Sequence, residues 1–511
     1  MPYPFVLPTT SAFALTTAFT CPTHPSLLRT ASTYRGVVRD TLKRHKRMPP
    51  ESQSANLALV VSSLQDYLPY LLAAADGLAG RHKEVRVTPT VPKSSKDDKK
   101  ESTVHLEWRP VLVDARLPGK ESPRVRIPLT GSHSTAALDT EAAFALSALG
   151  HAYTLQARAA LQPLYVVTSV VPIGGQQRLA AITAATKHLL AAASVFLFAA
   201  TFVEASPASA TPPTPEVAPP ALRSLAALAL AEATLLAVLK DDPYPAVVAQ
   251  DRNENDREWM YKAPDLPKVR AHLFARLCLA AAEHAARATG GVSSSVGISR
   301  GFVKYLQDLR HTSRAKACRF FAIDADLGGQ TGTALGWIQA AFQELGEGAP
   351  GSGGPGGSSS TEKKNLLDRF RKDRAEKREK KEDRRIERGT NWGADAGRYE
   401  ETRVLAMLDA KWTKQNDTMN TQLIPQAAPL LSQMPSGREI HTVRPMDAPQ
   451  LDASVLEAMR VPPDPLDALA DEVNDVGLSS SDDEDRISNQ RSHTPGSSGI
   501  GAYPGTPSSY Y

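Results

Sequence analysis

The amino-acid sequence predicts a mainly α-helical protein with a small β-sheet and a disordered C-terminal tail. Three observations lead to this class. Apolar residues recur at helical spacing through most of residues 1–450, a few short segments alternate apolar and polar residues, and apolar periodicity ends after Leu456. A hydrophobic content of 41 % and a net charge of +4 suit a folded helical protein and exclude a chain that binds polyanions along its whole length.

The first part of the chain is predicted to combine helices with one small sheet. Helical spacing of apolar residues predicts helices over 33–47, 51–80, 135–203 (interrupted near Pro163 and Pro172), 221–240 and 268–289. Residues with high β-propensity predict the sheet from the segments 104–108, 111–113 and 125–127. A Pro-rich loop is predicted at 206–220, and a loop rich in Asp, Asn and Pro at 241–267.

A helical hairpin is predicted over 299–346. Apolar residues from Phe302 form one helical stripe, Asp326–Gly329 breaks the pattern, and a second stripe starts at Leu335. The hairpin is similar to a tetratricopeptide-type helix pair, although a single pair is not a repeat array. A short helix is predicted at 400–415, and Pro-rich extended chain follows it.

A Gly/Ser-rich flexible linker is predicted at 346–361, and a charged helix at 362–388 holds 13 Lys or Arg against 8 Asp or Glu. One interpretation is a solvated helix that internal ion pairs stabilise. The other is peripheral contact with an anionic membrane, made by Lys363, Lys364, Arg369, Arg371, Lys372 and Arg374. No aromatic platform accompanies the charge, so no nucleic-acid partner is predicted. Residues 451–511, with their acidic and Ser/Pro/Gly-rich composition, are predicted to be disordered.

The sequence indicates an intracellular protein without a transmembrane segment. The cysteines Cys21, Cys278 and Cys318 follow no spacing pattern, which argues against a disulfide framework. No basic segment precedes the apolar residues near the N-terminus, so no signal peptide is predicted. The most apolar run, Leu189–Val203, is shorter than the roughly 18–20 residues that span a bilayer, and we expect a buried core helix there.

One motif suggests catalysis, but its context favours a structural role. Gly297–Gly301 matches the G-x-S-x-G pattern of serine hydrolases, which requires a strand before the serine. The preceding residues have weak β-propensity, so Ser299 is predicted to be a helix N-cap whose hydroxyl accepts a backbone N–H. No P-loop and no metal-ligand spacing occur in the sequence. The sequence therefore predicts no catalytic residue, metal or cofactor, with a serine hydrolase based on Ser299 as the alternative hypothesis.

Several segments resemble, in the same order, segments of the Bro-domain family, to which the endosomal adaptor ALIX belongs. They are Val104–Pro110 with its central Trp, Val125–Leu129, Asp139–Leu149, Leu225–Lys240, and Lys411–Asp417 with Ile424-Pro425 soon after. A second set resembles the branch of this family that acts in fungal ambient-pH signalling. It comprises Phe5–Thr10, Arg314–Asp326, Gly336–Ala341, the charged helix, Trp392-Gly393 and Pro435–His441. The two sets together cover about residues 1–450.

This resemblance implies an elongated, curved Bro domain of antiparallel helices over 1–450, which contains the small sheet and the tetratricopeptide-like pair. It implies a non-catalytic cytoplasmic adaptor that is recruited to cortical or endosomal sites. Its implied partners are the polymer-forming ESCRT-III subunit and other pH-signalling proteins, and its implied output is the proteolytic activation of the transcription factor PacC at alkaline pH. A general ALIX-like cargo-sorting scaffold is the alternative, although residues 451–511 leave no room for the V-shaped domain of ALIX-like proteins.

The resemblance also implies a docking patch for the C-terminal helix of the ESCRT-III subunit. In Bro domains this patch lies on the central helix and the helix that follows it. The corresponding residues here are Leu235, Val238, Leu239, Val269, Leu273 and Leu277. The first three share one face of a helix by i, i+3, i+4 spacing, and the last three share another. The alternative is that both stripes belong to the core.

Overall fold

The computed structural model describes most of the first 461 residues. The described ranges are 2–90, 105–114, 121–129, 134–166, 173–206, 214–252, 268–293, 297–346, 377, 380–389 and 392–461. The predicted linker beyond residue 346 and the first part of the predicted charged helix lie outside these ranges, as do residues 462–511 of the tail that was predicted to be disordered from residue 451. The first residues of that tail, 451–461, are described and contain a short helix at Ala453–Ala458, so the prediction of disorder is wrong for them.

The described chain is mostly helical, as predicted. The helices are α1 (Pro25–Arg47), α2 (Pro50–Ala79), α3 (Ser134–Leu161), α4 (Gly175–Glu204), α5 (Pro219–Asp241), α6 (Tyr244–Arg252), α7 (Lys268–Ser293), α8 (Arg300–Leu327), α9 (Thr331–Glu344), α10 (380–387), α11 (Arg398–Gln415), α12 (Ala427–Ser432) and α13 (Ala453–Ala458). The long helices pack in chain order, from α1 on α2 through α5 on α7 to α8 on α9. The predicted hairpin is therefore the α8–α9 pair, broken after Leu327.

Local chemistry sets the helix ends. α1 begins at Pro25, earlier than the predicted residue 33, because buried Leu27 and Leu28 extend its apolar stripe and Pro favours the first helical turn. α2 ends where Gly80 adopts the left-handed conformation at a φ of +70°. The loop predicted at 241–267 instead begins with a helix, α6. Its Tyr244 N–H donates to Asp242 Oδ1 at 3.1 Å, which satisfies a donor that the first helical turn leaves unpaired.

Five short strands form two antiparallel sheets in the described chain. They are β1 (Thr9–Thr10), β2 (Phe19–Thr20), β3 (Thr88–Pro89), β4 (His105–Arg109) and β5 (Val125–Pro128). The larger sheet has the order β1-β4-β5, with Thr10 opposite Trp108 and Leu106 opposite Ile127. β4 and β5 confirm two predicted strands. The strand predicted at 111–113 is wrong, because only Val113 pairs there, in a single bridge.

Three hydrophobic clusters hold the helices together. The largest joins α1–α5 to the larger sheet, where Trp108 stacks on Phe144 with 5.2 Å between ring centroids. The second joins α7, α8, α9 and α11, and the third packs Trp392 against α3 and α4. The three cysteines are buried and free, which agrees with the absence of a disulfide framework.

A buried ion pair fixes the junction of the sheet and the first helices. Arg35 of α1 and Glu141 of α3 are both buried, and Arg35 Nε lies 2.8 Å from Glu141 Oε1. Glu141 also accepts hydrogen bonds from the Tyr67 hydroxyl at 3.2 Å and from the Trp108 indole. Arg35 Nη2 donates to the Thr10 hydroxyl at 2.6 Å. A buried charge needs both an opposite charge and hydrogen bonds. Here these partners come from different elements, so the network joins β1, β4 and α1–α3 at one point.

Residues 421–461, here called the C-terminal strap, run across the helices and contain only the short helices α12 and α13. The strap begins against α9 and then crosses α7 and α4 to reach the segment before α1. Its backbone N–H groups donate to helix and loop carbonyls: Arg438 to Arg276 at 3.0 Å, Met446 to Ser194 at 3.2 Å and Val461 to Thr23 at 3.0 Å. The closest approach is at Gly437, where an added Cβ would lie 2.3 Å from the Ala280 nitrogen.

Candidate partner-binding surface

The structure distributes the six predicted docking residues among different environments. Val238 and Leu277 are only 2 % and 5 % exposed and lie in the cluster formed by α7, α8, α9 and α11. Leu235, Leu239 and Leu273 are half-buried. Val238 and Leu277 therefore stabilise the α5–α7 pair from inside, and they contact no partner unless the core opens. The side chain of Val269 lies outside the described residues.

Leu235 and Leu239 border a small, mainly apolar pocket at the C-terminal end of α5. Tyr165, Lys316 and Glu400 also line it, and its volume is about 40 Å³. Such a volume holds one to a few water molecules, so it is too small for a partner's apolar side chains.

A buried charge network lies beside this pocket. Arg319 of α8 lies 2.6 Å from Asp242 and 2.7 Å from Glu401, and Lys316 lies 2.7 Å from Glu401. Burial lowers the pKa of Lys316, but the carboxylates of Glu401, Glu400 and Asp242 together outweigh it and the net pKa shift is upward. The network holds the end of α5 to α8 and α11, so its role is structural.

A larger open groove lies nearer the N-terminal end of α5, between α4, α5 and α7. Its volume is about 460 Å³. Its apolar surface comes mainly from Leu197 of α4 and from Ala226, Ala227 and Leu230 of α5. Leu197, Ala227 and Leu230 are half-buried, so part of each side chain is open to a partner. We call this site the partner groove.

Basic side chains form one rim of the partner groove. Arg287 of α7 donates to Glu439 of the strap at 2.7 Å, and Arg223 of α5 pairs with Glu204 of α4. Arg287 also donates to His284 Nδ1 at 2.7 Å, which leaves the ring proton of a neutral His284 on Nε2. Burial and the neighbouring Arg287 charge lower the pKa of His284 to about 4, so this ring is uncharged near neutral pH.

Sequence reasoning missed the partner groove because α5 is apolar around its whole circumference. The run Leu225–Lys240 has apolar residues at nearly every position, so periodicity does not select the face that points outward. Small residues in the sequence did indicate which face of α5 packs against α7. Gly291 of α7 approaches α5 so closely that an added Cβ would lie 2.3 Å from Ser224 Oγ, and this contact fixes which side of α5 faces α7.

Ser299 is the N-cap residue of α8, but the predicted hydrogen bond of its hydroxyl is wrong. The Ser299 side chain makes no capping bond. Instead, Asp114 Oδ2 accepts the Arg300 N–H at 3.1 Å, and the Ser299 N–H donates to the Leu112 carbonyl at 2.7 Å. A carboxylate from the loop after β4 therefore caps α8. No hydrogen bond described in the structure joins the Ser299 hydroxyl to a histidine.

The basic residues predicted to contact a membrane lie outside the described residues. They are Lys363, Lys364, Arg369, Arg371, Lys372 and Arg374. The described end of the charged segment, α10, packs on the bundle through buried Ile386, whose carbonyl accepts a hydrogen bond from Gln162 at 2.8 Å.

Three described helices, α2, α4 and α5, are long and apolar enough to cross a membrane by length and composition. The apolar run Leu189–Val203 belongs to α4, which at 30 residues is longer than that run alone predicted. Its Leu189 and Phe196 side chains are buried in the bundle, in agreement with the predicted core helix. Among the described residues, no group of three His, Cys, Asp or Glu side chains is placed to hold a metal ion.

Comparison with known proteins gives one full-length relative and several structures of similar fold. No protein-family model matches the chain. A protein of Emericella nidulans described as pH-response regulator protein palC is 37 % identical over 532 residues, covering 100 % of both chains. A crystal structure of ALIX in complex with the SIVmac239 PYKEVTEDL late domain has a TM-score of 0.50 at 14 % identity, covering 92 % of this chain and 53 % of that one. An ALIX BRO1–CHMP4C complex has a TM-score of 0.47 at 14 % identity, covering 88 % and 97 %.

The helical bundle with its small antiparallel sheet is an ALIX-like Bro-domain fold, as the sequence resemblance predicted. The chain spans about half the length of the ALIX chain that it matches, and at 14 % identity that likeness concerns the fold alone. The full-length relationship is more specific: the chain belongs to the PalC family of pH-response regulators.

Proposed function

We propose that the protein is a non-catalytic cytoplasmic adaptor of ambient-pH signalling, and that its partner groove binds the C-terminal helix of the polymer-forming ESCRT-III subunit. One observation carries the proposal. An open apolar groove of about 460 Å³ lies on a scaffold whose full-length relative is described as a pH-response regulator. Apolar helices dock in such grooves through anchors at i, i+3, i+4 and i+7.

The lining of the groove suits a reversible contact. Burying a Leu-sized side chain stabilises by about 1.5–3 kcal/mol, and a micromolar Kd corresponds to about 8 kcal/mol. Leu197 and Leu230 are already half-buried, so they supply only part of this free energy, and the partner's own apolar anchors must supply the rest against the entropic cost of association. The rim adds polar contacts without a net charge, since Arg287 and Arg223 are half exposed and already pair with Glu439 and Glu204.

The half-buried Leu235, Leu239 and Leu273 form the competing docking surface, with buried Val238 and Leu277 beneath them and Val269 on the same helix as Leu273. Two charge substitutions separate the two surfaces. Leu230→Asp places a carboxylate in the partner groove, and Leu273→Asp places one on the competing surface. Both positions are half-buried, so both variants should fold.

The assay is fluorescence anisotropy with a labelled peptide of the ESCRT-III C-terminal helix, run beside a thermal melt of each variant. Leu230→Asp should lower affinity at least tenfold with little change in Tm, while Leu273→Asp should bind as wild type. The reverse pattern would move the site to Leu235, Leu239 and Leu273. Wild-type affinity in both folded variants would remove helix docking from this side of the bundle.

In cells, we propose that this contact recruits the adaptor to cortical or endosomal sites and so promotes proteolytic activation of PacC at alkaline pH. We also propose that Lys363, Lys364, Arg369, Arg371, Lys372 and Arg374 assist through anionic lipid. The groove variant Leu230→Asp should block PacC cleavage after an alkaline shift and leave endosomal cargo sorting intact. The opposite result would favour the ALIX-like cargo-sorting scaffold. Loss of lipid contact is measurable separately, by vesicle co-sedimentation of a variant with these six residues changed to Gln.

A further inference from the structure

The C-terminal strap crosses the outer face of α5 directly beside the partner groove. α5 packs against both α4 and α7 and lies between them. On the α7 side, Glu439 of the strap accepts a hydrogen bond at 2.7 Å from Arg287, which lines the groove. On the α4 side, the Ser194 hydroxyl donates to the Arg444 carbonyl at 2.8 Å. The strap therefore passes over α5 between residues 439 and 444, and beyond α4 it covers a cavity between α4 and α2.

Burial along α5 locates the crossing point. Ala227 and Leu230 of the partner groove are half-buried, but every residue of the next turn, Ala231–Thr234, is buried. A helix at the bundle surface keeps one face open unless another segment covers it. Burial lowers the pKa of His441, and a hydrogen bond to the Ala233 backbone opposes this shift, so the His441 ring lies on this turn. The strap is therefore the cover of the turn that follows the groove.

The strap has little slack where it crosses α5. The Arg438 N–H donates to the Arg276 carbonyl of α7 at 3.0 Å, and the Met446 N–H donates to the Ser194 carbonyl of α4 at 3.2 Å. These two anchors are eight residues apart in the chain, a distance of at most about 26–29 Å when fully extended. Neighbouring helices lie about 8–10 Å apart, so the path from α7 over α5 to α4 takes at least about 16–20 Å. The crossing is therefore held close to α5 while both anchors stay bonded.

Apolar residues continue on the far side of the strap. Ala237 lies two turns beyond Leu230 on the same face of α5, and Leu190 lies two turns from Leu197 on the same face of α4. Both Ala237 and Leu190 are half-buried. The strap therefore interrupts a face that would otherwise extend the partner groove along α5.

We propose that strap residues 439–444 are an end stop that limits the helix docked in the partner groove to about three turns. The groove extends along α5 from Pro220 to Leu230, which is about 15 Å at a rise of 1.5 Å per residue. An uninterrupted face from Pro220 to the end of α5 at Asp241 would measure about 31 Å, or about six turns. A longer partner helix gains no further contact, because its next turn meets the strap. The inference rests on the proposed function and adds the length of the partner segment.

The first test is the length dependence of binding to the full chain. Labelled peptides of the ESCRT-III C-terminal helix, about two, three and five turns long and with shared apolar anchors, are compared by fluorescence anisotropy. The Kd should fall at least tenfold from two turns to three, because the third turn adds an anchor, and should change less than twofold from three turns to five. A further tenfold fall at five turns would overturn the end stop and leave the groove intact. No binding by any of the peptides would overturn the proposed function, and the end stop with it.

Hydrogen exchange in the complex with the five-turn peptide tests whether the strap stays in place. The backbone amides of Arg438 and Met446 report on the two anchors. Both amides should stay as protected as in the free protein. Loss of their protection on binding would mean that the partner displaces the strap, and it would overturn the end stop. This measurement uses the wild-type chain, so it does not depend on the folding of a variant.

Two substitutions then assign the end stop to the strap. Gly437→Ala should release the strap from α7, because the added Cβ would lie 2.3 Å from the Ala280 nitrogen. In this variant the five-turn peptide should bind at least tenfold more tightly than the three-turn peptide, and adding Leu190→Asp should abolish the gain. Leu190→Asp alone is the matched control and should bind both peptides as wild type does. Equal affinity for both peptides in a Gly437→Ala chain whose strap is released would refute the assignment.

Discussion

Replacing Arg35 by Met tests how strongly the buried network stabilises the domain. In Arg35→Met, Glu141 keeps its fully buried position but loses the cation that lies 2.8 Å from its carboxylate. The Tyr67 hydroxyl and the Trp108 indole still donate to Glu141. The Thr10 hydroxyl loses the donor at 2.6 Å that joins β1 to α1.

The expected loss of unfolding free energy follows from the Glu141 charge that stays buried after Arg35 is replaced. Breaking a buried ion pair by removing one partner typically costs about 3–5 kcal/mol, because the other charge stays buried and uncompensated. Two donors still solvate Glu141, so we expect the lower end of that range, about 3 kcal/mol. The double variant Arg35→Met/Glu141→Gln removes the stranded charge, so it should recover at least half of the loss.

The measurement is urea unfolding followed by circular dichroism, with a double-mutant cycle over Arg35 and Glu141. A loss smaller than about 1 kcal/mol in Arg35→Met would mean that the pair is nearly neutral in net stability, as at exposed sites. A double variant as unstable as the single one would refute the view that the stranded carboxylate causes the loss.

Three further predictions concern the strap, a helix cap and pH. Gly437→Ala should lift the strap from α7, because the added Cβ would lie 2.3 Å from the Ala280 nitrogen. Limited proteolysis should then cut the strap first. A digestion pattern unchanged from wild type would contradict the close approach of Gly437 to α7. Asp114→Ala should destabilise by about 1 kcal/mol in urea unfolding while Ser299→Ala should not, and equal losses would count against the carboxylate cap. Burial raises the pKa of Glu216 from 4.5 to about 7, so its share of stability is present below pH 4.5 and is lost as pH rises through 7. Glu216→Gln should remove this pH-dependent contribution to the free energy of unfolding. If wild type and Glu216→Gln showed the same pH dependence between pH 5 and 8, a contribution from Glu216 would be excluded.

Local pattern predicted the long helices well and the pairing of distant segments poorly. α2 carries a regular apolar stripe and a terminal glycine, and the sequence located it to within a residue or two. β1 has only two residues, and its strand character depends on β4, which follows α2 in the chain. The strand predicted at 111–113 has suitable residues but lacks a partner beyond Val113. Strand formation here is decided by long-range contacts that local propensity does not contain.

The binding surfaces were harder to predict, for a related reason. Leu230 and Val238 are equally apolar in the sequence, but Leu230 lines the partner groove while Val238 is buried against α7 and α8. Which of them is accessible depends on how α4 and α7 press against α5. The cavity between α2, α4 and the C-terminal strap was also beyond sequence reasoning, because these three elements lie far apart in the chain and the strap has no regular pattern.

The route of the strap sets the order in which the domain can mature during synthesis. The Val461 N–H donates to the Thr23 carbonyl, so the last described residues contact the segment just before the first helix. A ribosome adds about 5–20 residues per second, so the helices before the strap are made well before their cover emerges. During that interval the faces of α7, α4 and α2 that the strap later covers are exposed to solvent, so the domain reaches its final surface only after residue 461 has emerged.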